Sequence, residues 1–215
     1  MDFDKYKRLK ENMIRNQLIA RGISDSRVLE AFHRIERHHF VDEGFEQKAY
    51  EDSALPISSG QTISQPFMVA YMTELLTLSG TERVLEIGTG SGFQASILAC
   101  LGCDVYTIER HQSLYLQSQQ RFTRLGLSVK GRLGDGTLGW PDLSGFDRII
   151  VTAGAPEIPK HLCEQLNENG FMLIPVGKTK EEQTLLKISK KENTFYKETY
   201  ANCAFVPLIG KDGWS

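Results

Sequence analysis

The feature that most constrains the fold of this chain is the stretch VLEIGTGSGFQASILA, which spans residues 84–99. An apolar run enters the glycine-rich segment Gly88–Gly92, and a helical pattern follows it at once. Glycines let a backbone approach a ligand closely, and a helix N-terminus offers free N–H groups. The stretch therefore predicts a strand, a ligand-binding loop and a helix, as in nucleotide sites of α/β proteins.

After Gly80, short apolar runs alternate with segments that have a helical pattern. These helical segments lie at about 92–101, 111–125 and 159–166. Continuous apolar runs are typical of parallel strands buried on both faces. From Thr184 to Val206, two strand-like runs without an intervening helix predict an antiparallel hairpin. We expect a Rossmann-like α/β fold with a mostly parallel seven-stranded sheet. Its other runs are Val84–Ile87, Val105–Ile108, Val129–Leu133, Arg148–Thr152 and Phe171–Val176.

The first 55 residues predict a helical N-terminal addition. Apolar residues recur at helical spacing before Gly22, which is placed to end a first helix, and Ser24 is placed to cap a second. The stretch Ala54–Gln65 is small, polar and glycine-containing, so we expect a long loop, a kind of segment that is often functional. A further helix is expected from Pro66.

The glycine loop favours a positively charged ligand. Its spacing is GxGxG, whereas a dinucleotide fingerprint is GxGxxG, and Phe93 stands where the third glycine would fall. Glu86, two residues before Gly88, would repel a pyrophosphate. S-adenosylmethionine (AdoMet) carries an ammonium and a sulfonium but no phosphate. We therefore predict an AdoMet site that includes Glu86, Gly88 and Gly90.

Two acidic residues extend this prediction. Glu109 ends the next strand, where a carboxylate can accept hydrogen bonds from both ribose hydroxyls; the alternative is a solvated acid beside Arg110. Asp135, between Gly134 and Gly136 after the third strand, could accept the adenine amine, so Asp135 and Gly136 are predicted to bind the cofactor. The alternative is an Asp that bonds its own turn.

The composition of the chain argues against nucleic-acid and membrane partners and favours the cytoplasm. The chain has 25 Lys and Arg against 27 Asp and Glu, so it lacks the basic field of a nucleic-acid binder. No apolar run approaches the roughly 18 residues of a membrane span, and the start is too charged for a signal peptide. Four cysteines without paired CxxC sets favour reduced thiols in the cytoplasm. The adjacent His38 and His39 lack further ligands, so no metal is expected, and a monomer is the default.

From about residue 25 to about 210, the sequence resembles the protein-L-isoaspartate (D-aspartate) O-methyltransferases. Two segments carry a resemblance to this family rather than to methyltransferases in general. They are FVDEGFEQKAYEDSALPISSGQTISQPFMVAYMTELL and FDRIIVTAGAPEIPKHLCEQLNENGFMLIPVG. RVLEIGTGSGFQASILA, GDGTLGW and FVPLIG also match.

The resemblance implies methyl transfer from AdoMet to the free α-carboxylate of L-isoaspartyl residues in damaged proteins and peptides. The ester then collapses to a succinimide that hydrolyses partly to aspartate, which is a repair. The family's functional serine corresponds to Ser64. We therefore predict a helical N-terminal region with the substrate loop at residues 1–80 and an AdoMet-binding domain at residues 81–215. By the same match, Gly60, Gln61 and Thr62 lie beside the cofactor, and Val206 and Pro207 lie at the substrate peptide.

The chemistry fits these residues. A carboxylate is ionised at neutral pH, so no general base is needed and Ser64 need only orient the acceptor oxygen. The alternative for Ser64 is a structural role as the cap of the helix that begins near Pro66, for which Thr62 is the other candidate. The alternative functions are methylation of another carboxylate or small-molecule acceptor, and a binding module without activity. Many relatives have Tyr where this chain has Phe93. Some relatives have a longer polar C-terminus that reaches the cofactor, so the resemblance assigns no role to residues 210–215 of this chain.

Overall fold

The computed structural model describes residues 2–143 and 145–215, with side chains from residue 4 onward. The N-terminal region is helical, as predicted. Helix α1 (Asp2–Met13) continues through a π-helical turn and a 3-10 turn to Arg21, and Gly22 ends it with a φ of +98°. Helix α2 (Ser26–Arg34) follows, and two 3-10 turns cover Arg37–Phe40 and Glu46–Lys48.

Two local predictions in this region were wrong. The N-cap of α2 is Asp25, whose side chain accepts hydrogen bonds from the N–H groups of Arg27 and Val28, whereas the N–H of Ser24 donates to Glu74. The expected loop at 54–65 contains a short antiparallel hairpin, β1 (Leu55–Ile57) with β2 (Gln61–Ile63). Leu55, Ile57 and Ile63 are buried, so core packing, which local composition does not show, orders this segment.

The predicted α/β sheet is confirmed, with seven strands. The elements after the hairpin are α3 (Pro66–Leu75), β3 (Arg83–Ile87), α4 (Phe93–Cys100), β4 (Asp104–Glu109), α5 (Gln112–Leu125), β5 (Val129–Leu133), β6 (Phe146–Val151), α6 (Lys160–Glu164), β7 (Leu166–Val176), β8 (Gln183–Lys191) and β9 (Thr194–Cys203). The strand order is β5-β4-β3-β6-β7-β8-β9. The first five strands in that order are parallel, and β8 and β9 form the antiparallel hairpin expected at the C-terminus.

Apolar cores cover both faces of the sheet. Val84 and Leu85 are neighbours in β3, both are fully buried, and they belong to different cores. Residues of α3, α4 and α5 pack on the Val84 face, and the N-terminal helices pack on α4 through Phe93 and Ile97. Residues of α6 pack on the other face. This burial on both sides explains why the strands are continuous apolar runs. The division of the chain at residue 80 stays a prediction.

No helix in the described ranges combines the length and the apolar character that a bilayer span requires.

Candidate active site

The site is a cavity at the carboxyl ends of β3 and β4, where open α/β sheets bind ligands. Three segments meet around it: the hairpin with Ser64, the glycine loop, and the C-terminal segment 206–209. Of the predicted site residues, the wall includes Gln61, Thr62, Ser64, Glu86, Gly88, Gly90, Glu109, Gly136, Val206 and Pro207. Gln61 and Pro207, which are 146 positions apart in the chain, are thus brought to one site by the fold.

The glycine loop has a backbone that side chains would obstruct. Gly88 has a φ of +95°, and a Cβ there would lie 2.6 Å from the Thr152 hydroxyl oxygen. That hydroxyl donates to the Gly88 carbonyl at 2.7 Å, which fixes the loop against the end of β6. Glycine is therefore required at this position for two reasons: the backbone is left-handed, and the Thr152 side chain lies too close for a Cβ.

Glu86 is a fully buried carboxylate at the floor of the cavity. The Thr107 hydroxyl donates to its Oε2 at 2.5 Å, while Oε1 has no hydrogen-bond partner among the described residues. Burial, and to a smaller extent the nearby Glu109 charge, raises the pKa of Glu86 to about 8. A buried carboxylate oxygen without a donor fits a cationic ligand such as the ammonium of AdoMet.

Glu109 has a different environment at the end of β4. Its Oε2 accepts from the Gly90 N–H and its Oε1 from the His111 N–H, both at 2.8 Å. These two bonds hold the carboxylate against the glycine loop. A carboxylate has about four acceptor positions, so two remain for the hydroxyls of a ribose.

The hairpin places Ser64 beside the glycine loop. A Cβ on Gly90 would lie only 3.8 Å from the Ile57 side chain, so β1 and β2 lie directly over the loop. The N-cap of α3 is Gln65 and no side chain caps the helix, so capping by Ser64 or Thr62 is wrong. The Ser64 hydroxyl has no hydrogen bond within the described ranges and lies on the cavity wall, where it is available to a substrate.

Two predicted cofactor residues are off the wall. Gly60 is in the hairpin turn, and its contact with a cofactor stays a prediction. Asp135 accepts from the N–H and hydroxyl of Thr137 at 2.9 and 2.7 Å through Oδ1, and from the N–H of Lys211 at 2.8 Å through Oδ2. The structure thus shows the turn-bonding alternative for Asp135, with an anchor for the C-terminal segment in addition. Its contact with adenine stays a prediction.

The C-terminal segment is held to the sheet by Gly154. The Gly154 N–H donates to the carbonyl of Val206 at 2.8 Å, and the Leu208 N–H donates to the carbonyl of Gly154 at 2.8 Å. The Trp214 indole N–H donates to the same Gly154 carbonyl at 2.9 Å. These bonds fix Val206 and Pro207 beside the end of β6, on the wall of the cavity.

The sequence reasoning missed several wall residues. Thr152 follows β6 directly. Because open α/β sheets bind ligands at the carboxyl ends of their strands, this position could have identified it as a wall residue. Gln94 is in the first turn after the glycine loop, where a polar residue among apolar ones was a second signal. The other missed residues are Ile63, Val69, Ile87, Thr89, Ser91, Phe93, Ile108, Arg110, Ala153, Leu208 and Ile209.

The histidines and cysteines outside the cavity have structural contacts. His38 stacks on Tyr6 with 4.1 Å between ring centroids, and its Nδ1 lies 2.8 Å from the Tyr50 hydroxyl. All four thiols are free, and burial raises the pKa of Cys103 to about 12. Within the described ranges, no group of three or more His, Cys, Asp and Glu side chains could hold a metal ion.

Known proteins are similar in sequence to this chain over almost its whole length. A protein-L-isoaspartate O-methyltransferase from Geobacter metallireducens is 50% identical over 207 residues, which are 95% of each chain. One from Chlorobium phaeovibrioides is 50% identical over 219 residues, or 99% of this chain and 93% of the relative.

Solved structures give the same match. A protein-L-isoaspartate O-methyltransferase superposes with a TM-score of 0.87 at 28% identity, over 95% of this chain and 67% of that one. A Plasmodium falciparum protein assigned to the same enzyme class, in complex with S-adenosyl-L-homocysteine, gives 0.79 at 28% identity, over 95% and 98%. The sequence profile described as Protein-L-isoaspartate(D-aspartate) O-methyltransferase matches residues 7–213. The chain therefore belongs to the protein-L-isoaspartate(D-aspartate) O-methyltransferase family.

Proposed function

We propose that this chain transfers a methyl group from AdoMet to the free carboxylate of L-isoaspartyl residues in damaged proteins and peptides, and that it does so in the cavity at the ends of β3 and β4. The observation that carries the proposal is the meeting of Glu86, Glu109 and Ser64 around one cavity. The two carboxylates can bind a cationic nucleoside, and the free hydroxyl can donate a hydrogen bond to an anionic methyl acceptor. The family and the relatives at 50% identity support the same activity.

The residues of the chain would hold the cofactor along the cavity. Glu109 would accept the ribose hydroxyls, because its carboxylate is fixed by two backbone N–H groups and has acceptor positions left. Glu86 would accept the ammonium group with its unpaired Oε1. Gly88 and Gly90 would let the backbone lie close to the ligand, and Gln61 and Thr62 would cover it from the hairpin. When bound, AdoMet supplies a methyl group activated by the adjacent sulfonium.

Ser64 would orient the acceptor carboxylate from the opposite wall. Its hydroxyl can donate to one carboxylate oxygen and leave the other directed into the cavity. Val206 and Pro207 would contact the substrate backbone, because they line the cavity beside the same opening. A carboxylate is ionised at neutral pH and needs no base. The contribution of the chain is alignment, an effect worth up to roughly 7–11 kcal/mol in well-oriented systems.

The proposal includes action in the cytoplasm, as a monomer and without a metal or nucleic acid. Four free thiols fit a reducing compartment. The near balance of 25 basic and 27 acidic residues gives no general attraction to phosphates. The reaction needs neither a Lewis acid nor a base, because the acceptor is already ionised.

The test uses methyl-labelled AdoMet and two peptides that differ only in one isoaspartyl or aspartyl linkage. We expect labelling of the isoaspartyl peptide alone, followed by release of labelled methanol as the ester collapses. Equal labelling of both peptides would contradict repair. Labelling of a small carboxylic acid in place of both would favour the alternative acceptor class.

Ser64→Ala tests, in the same assay, whether the Ser64 hydroxyl orients the acceptor carboxylate. Loss of a hydrogen bond to a charged group predicts a fall in kcat/KM of about 10–150-fold, while the affinity for S-adenosyl-L-homocysteine stays unchanged. Ser53→Ala is the matched control, because Ser53 is exposed in the bend before the hairpin. Wild-type kcat/KM in Ser64→Ala would remove Ser64 from the proposed mechanism.

A further inference from the structure

We propose that Gln94 is a further cofactor-binding residue, whose side-chain oxygen accepts a hydrogen bond from the ammonium group of bound AdoMet. The inference rests on the proposed function, because it requires AdoMet in the cavity. Gln94 lies in the first turn of α4 and on the cavity wall, and only 7% of it is exposed.

The orientation of the Gln94 amide is fixed by Thr73. The Thr73 hydroxyl donates its single proton to the carbonyl of Val69 at 2.7 Å, one helical turn earlier in α3. Its oxygen can then only accept, and the Gln94 Nε2 donates to it at 2.9 Å. Since Thr73 is itself buried, the amide nitrogen must face Thr73 and the amide oxygen must face away.

The Gln94 oxygen is thereby left without a donor. Within the described ranges it accepts no hydrogen bond, although its α4 neighbours Phe93, Ala95, Ile97 and Leu98 are all buried and apolar. An amide oxygen that is held in one orientation on the wall of a ligand cavity, without a protein donor, is available to a donor on the ligand.

The neighbourhood of Gln94 indicates which donor that is. Gln94 and Glu86 are both buried, and both line the same cavity. Glu86 Oε1 is the second acceptor here that has no partner. The Glu86 carboxyl group, which ionises when a cation binds beside it, and the neutral Gln94 amide oxygen together suit a cation with several N–H donors. The AdoMet ammonium has three, whereas the acceptor carboxylate of the substrate has none.

Calorimetric titration with two ligands tests the assignment. S-adenosyl-L-homocysteine carries the ammonium group, and 5′-methylthioadenosine keeps the nucleoside but lacks the amino-acid portion. Gln94→Met removes the acceptor and preserves the shape, so we expect the Kd for S-adenosyl-L-homocysteine to rise about tenfold or more. The Kd for 5′-methylthioadenosine should change less than twofold.

Two further variants test the orientation and the charge. Thr73→Val frees the amide to rotate, and it should weaken S-adenosyl-L-homocysteine selectively but by less than Gln94→Met. Gln94→Glu keeps an acceptor at the same place, and it should bind S-adenosyl-L-homocysteine at least as tightly as the wild type. Gln120→Met, at an exposed position of α5, should change neither affinity.

Three results would overturn the inference. They are an unchanged Kd for S-adenosyl-L-homocysteine in Gln94→Met, an equal loss for both ligands, and a loss confined to the KM for the isoaspartyl peptide. Thermal unfolding of each variant separates a folding defect from a binding defect, and Gln94→Glu supplies the test if Gln94→Met does not fold. Failure of the wild type to bind S-adenosyl-L-homocysteine would overturn the proposed function itself, which distinguishes the two failures.

Discussion

The Arg37 guanidinium donates a hydrogen bond from Nη2 to the carbonyl oxygen of Ser64 at 2.7 Å, across 27 residues of sequence. Its Nε donates to the carbonyl of Ala49 at 2.7 Å, and the group lies 4.9 Å from the centroid of the Phe93 ring. Arg37 is fully buried, and burial lowers its pKa to about 9. The N-terminal region thus fixes the backbone of the residue that we propose orients the acceptor.

Substitution of Arg37 tests this positioning role. Arg37→Lys keeps the charge, but one ammonium group cannot span the carbonyls of Ala49 and Ser64 in the same geometry. We expect kcat/KM for the isoaspartyl peptide to fall about tenfold in Arg37→Lys and further in Arg37→Met, through weaker bonds to the two carbonyls. The Kd for S-adenosyl-L-homocysteine should change less than twofold in Arg37→Lys, as measured by calorimetry.

Arg34→Met is the matched control, because Arg34 is exposed at the end of α2. A parallel loss of cofactor affinity and activity in Arg37→Lys would indicate general disruption of the fold and would contradict a role specific to Ser64.

The raised pKa of Glu86 predicts a proton linkage of cofactor binding. At about 8, this pKa keeps the carboxyl largely protonated at pH 7, and a cation placed beside it lowers the pKa. Binding of S-adenosyl-L-homocysteine at pH 7 should therefore release about one proton per site. Its affinity should rise with pH up to about 8. Calorimetry in buffers of different ionisation enthalpy measures the release directly.

Glu86→Gln should bind more weakly and abolish this release. Proton release that persists in Glu86→Gln would show that the proton comes from another group.

Gly88→Ala tests the two constraints at the glycine loop. A φ of +95° alone costs an L-residue about 1–2 kcal/mol. A Cβ that would lie 2.6 Å from the Thr152 hydroxyl oxygen adds about 1–3 kcal/mol of overpacking. Gly126→Ala isolates the first effect, because Gly126 has a φ of +65° and open space around it. Urea denaturation should show a clearly larger loss of the free energy of unfolding for Gly88→Ala, and equal losses would exclude the contact with Thr152.

Asp135→Ala distinguishes the two roles of this carboxylate. If Asp135 anchors the C-terminal segment, the Lys211 amide loses its acceptor and its hydrogen exchange should accelerate about tenfold or more. The Kd for 5′-methylthioadenosine should then change little. If Asp135 instead contacts adenine, that Kd rises while exchange at Lys211 is unaltered. Asp142→Ala, at an exposed position before β6, serves as the control.

The most reliable predictions came from contiguous sequence. Glu86, the glycine loop and the start of α4 are within ten residues of one another, so the strand, turn and helix that place them are decided by local backbone preferences and by the apolar run. Glu109 was also predictable, because a parallel strand must end at the same edge as its neighbour. The hairpin of β8 and β9 followed from the absence of a helix between two strand-like runs.

The predictions that failed concern segments whose conformation depends on distant partners. Ala54–Gln65 has the composition of a loop, but Leu55, Ile57 and Ile63 bury their side chains in the core and pair two strands. Ser24 and Asp25 are both good caps, and the Glu74 carboxylate takes up the N–H of Ser24 from 50 residues away. Local patterns contain no information about either partner.

The sequence by itself determined the sheet and the glycine loop, because strand and turn preferences act over a few residues. The positive charge of the ligand was a prediction from Glu86 next to that loop. The methyl acceptor, an isoaspartyl carboxylate, was predicted only from the resemblance of the sequence to a known family. Only the tertiary structure decided that Arg37 donates to the carbonyl of Ser64, that Asp135 accepts from Lys211 in the C-terminal segment, and that the Gln94 amide nitrogen donates to Thr73. Each of these depends on a hydrogen bond between groups far apart in the chain, and burial makes such bonds obligatory only after the chain has folded.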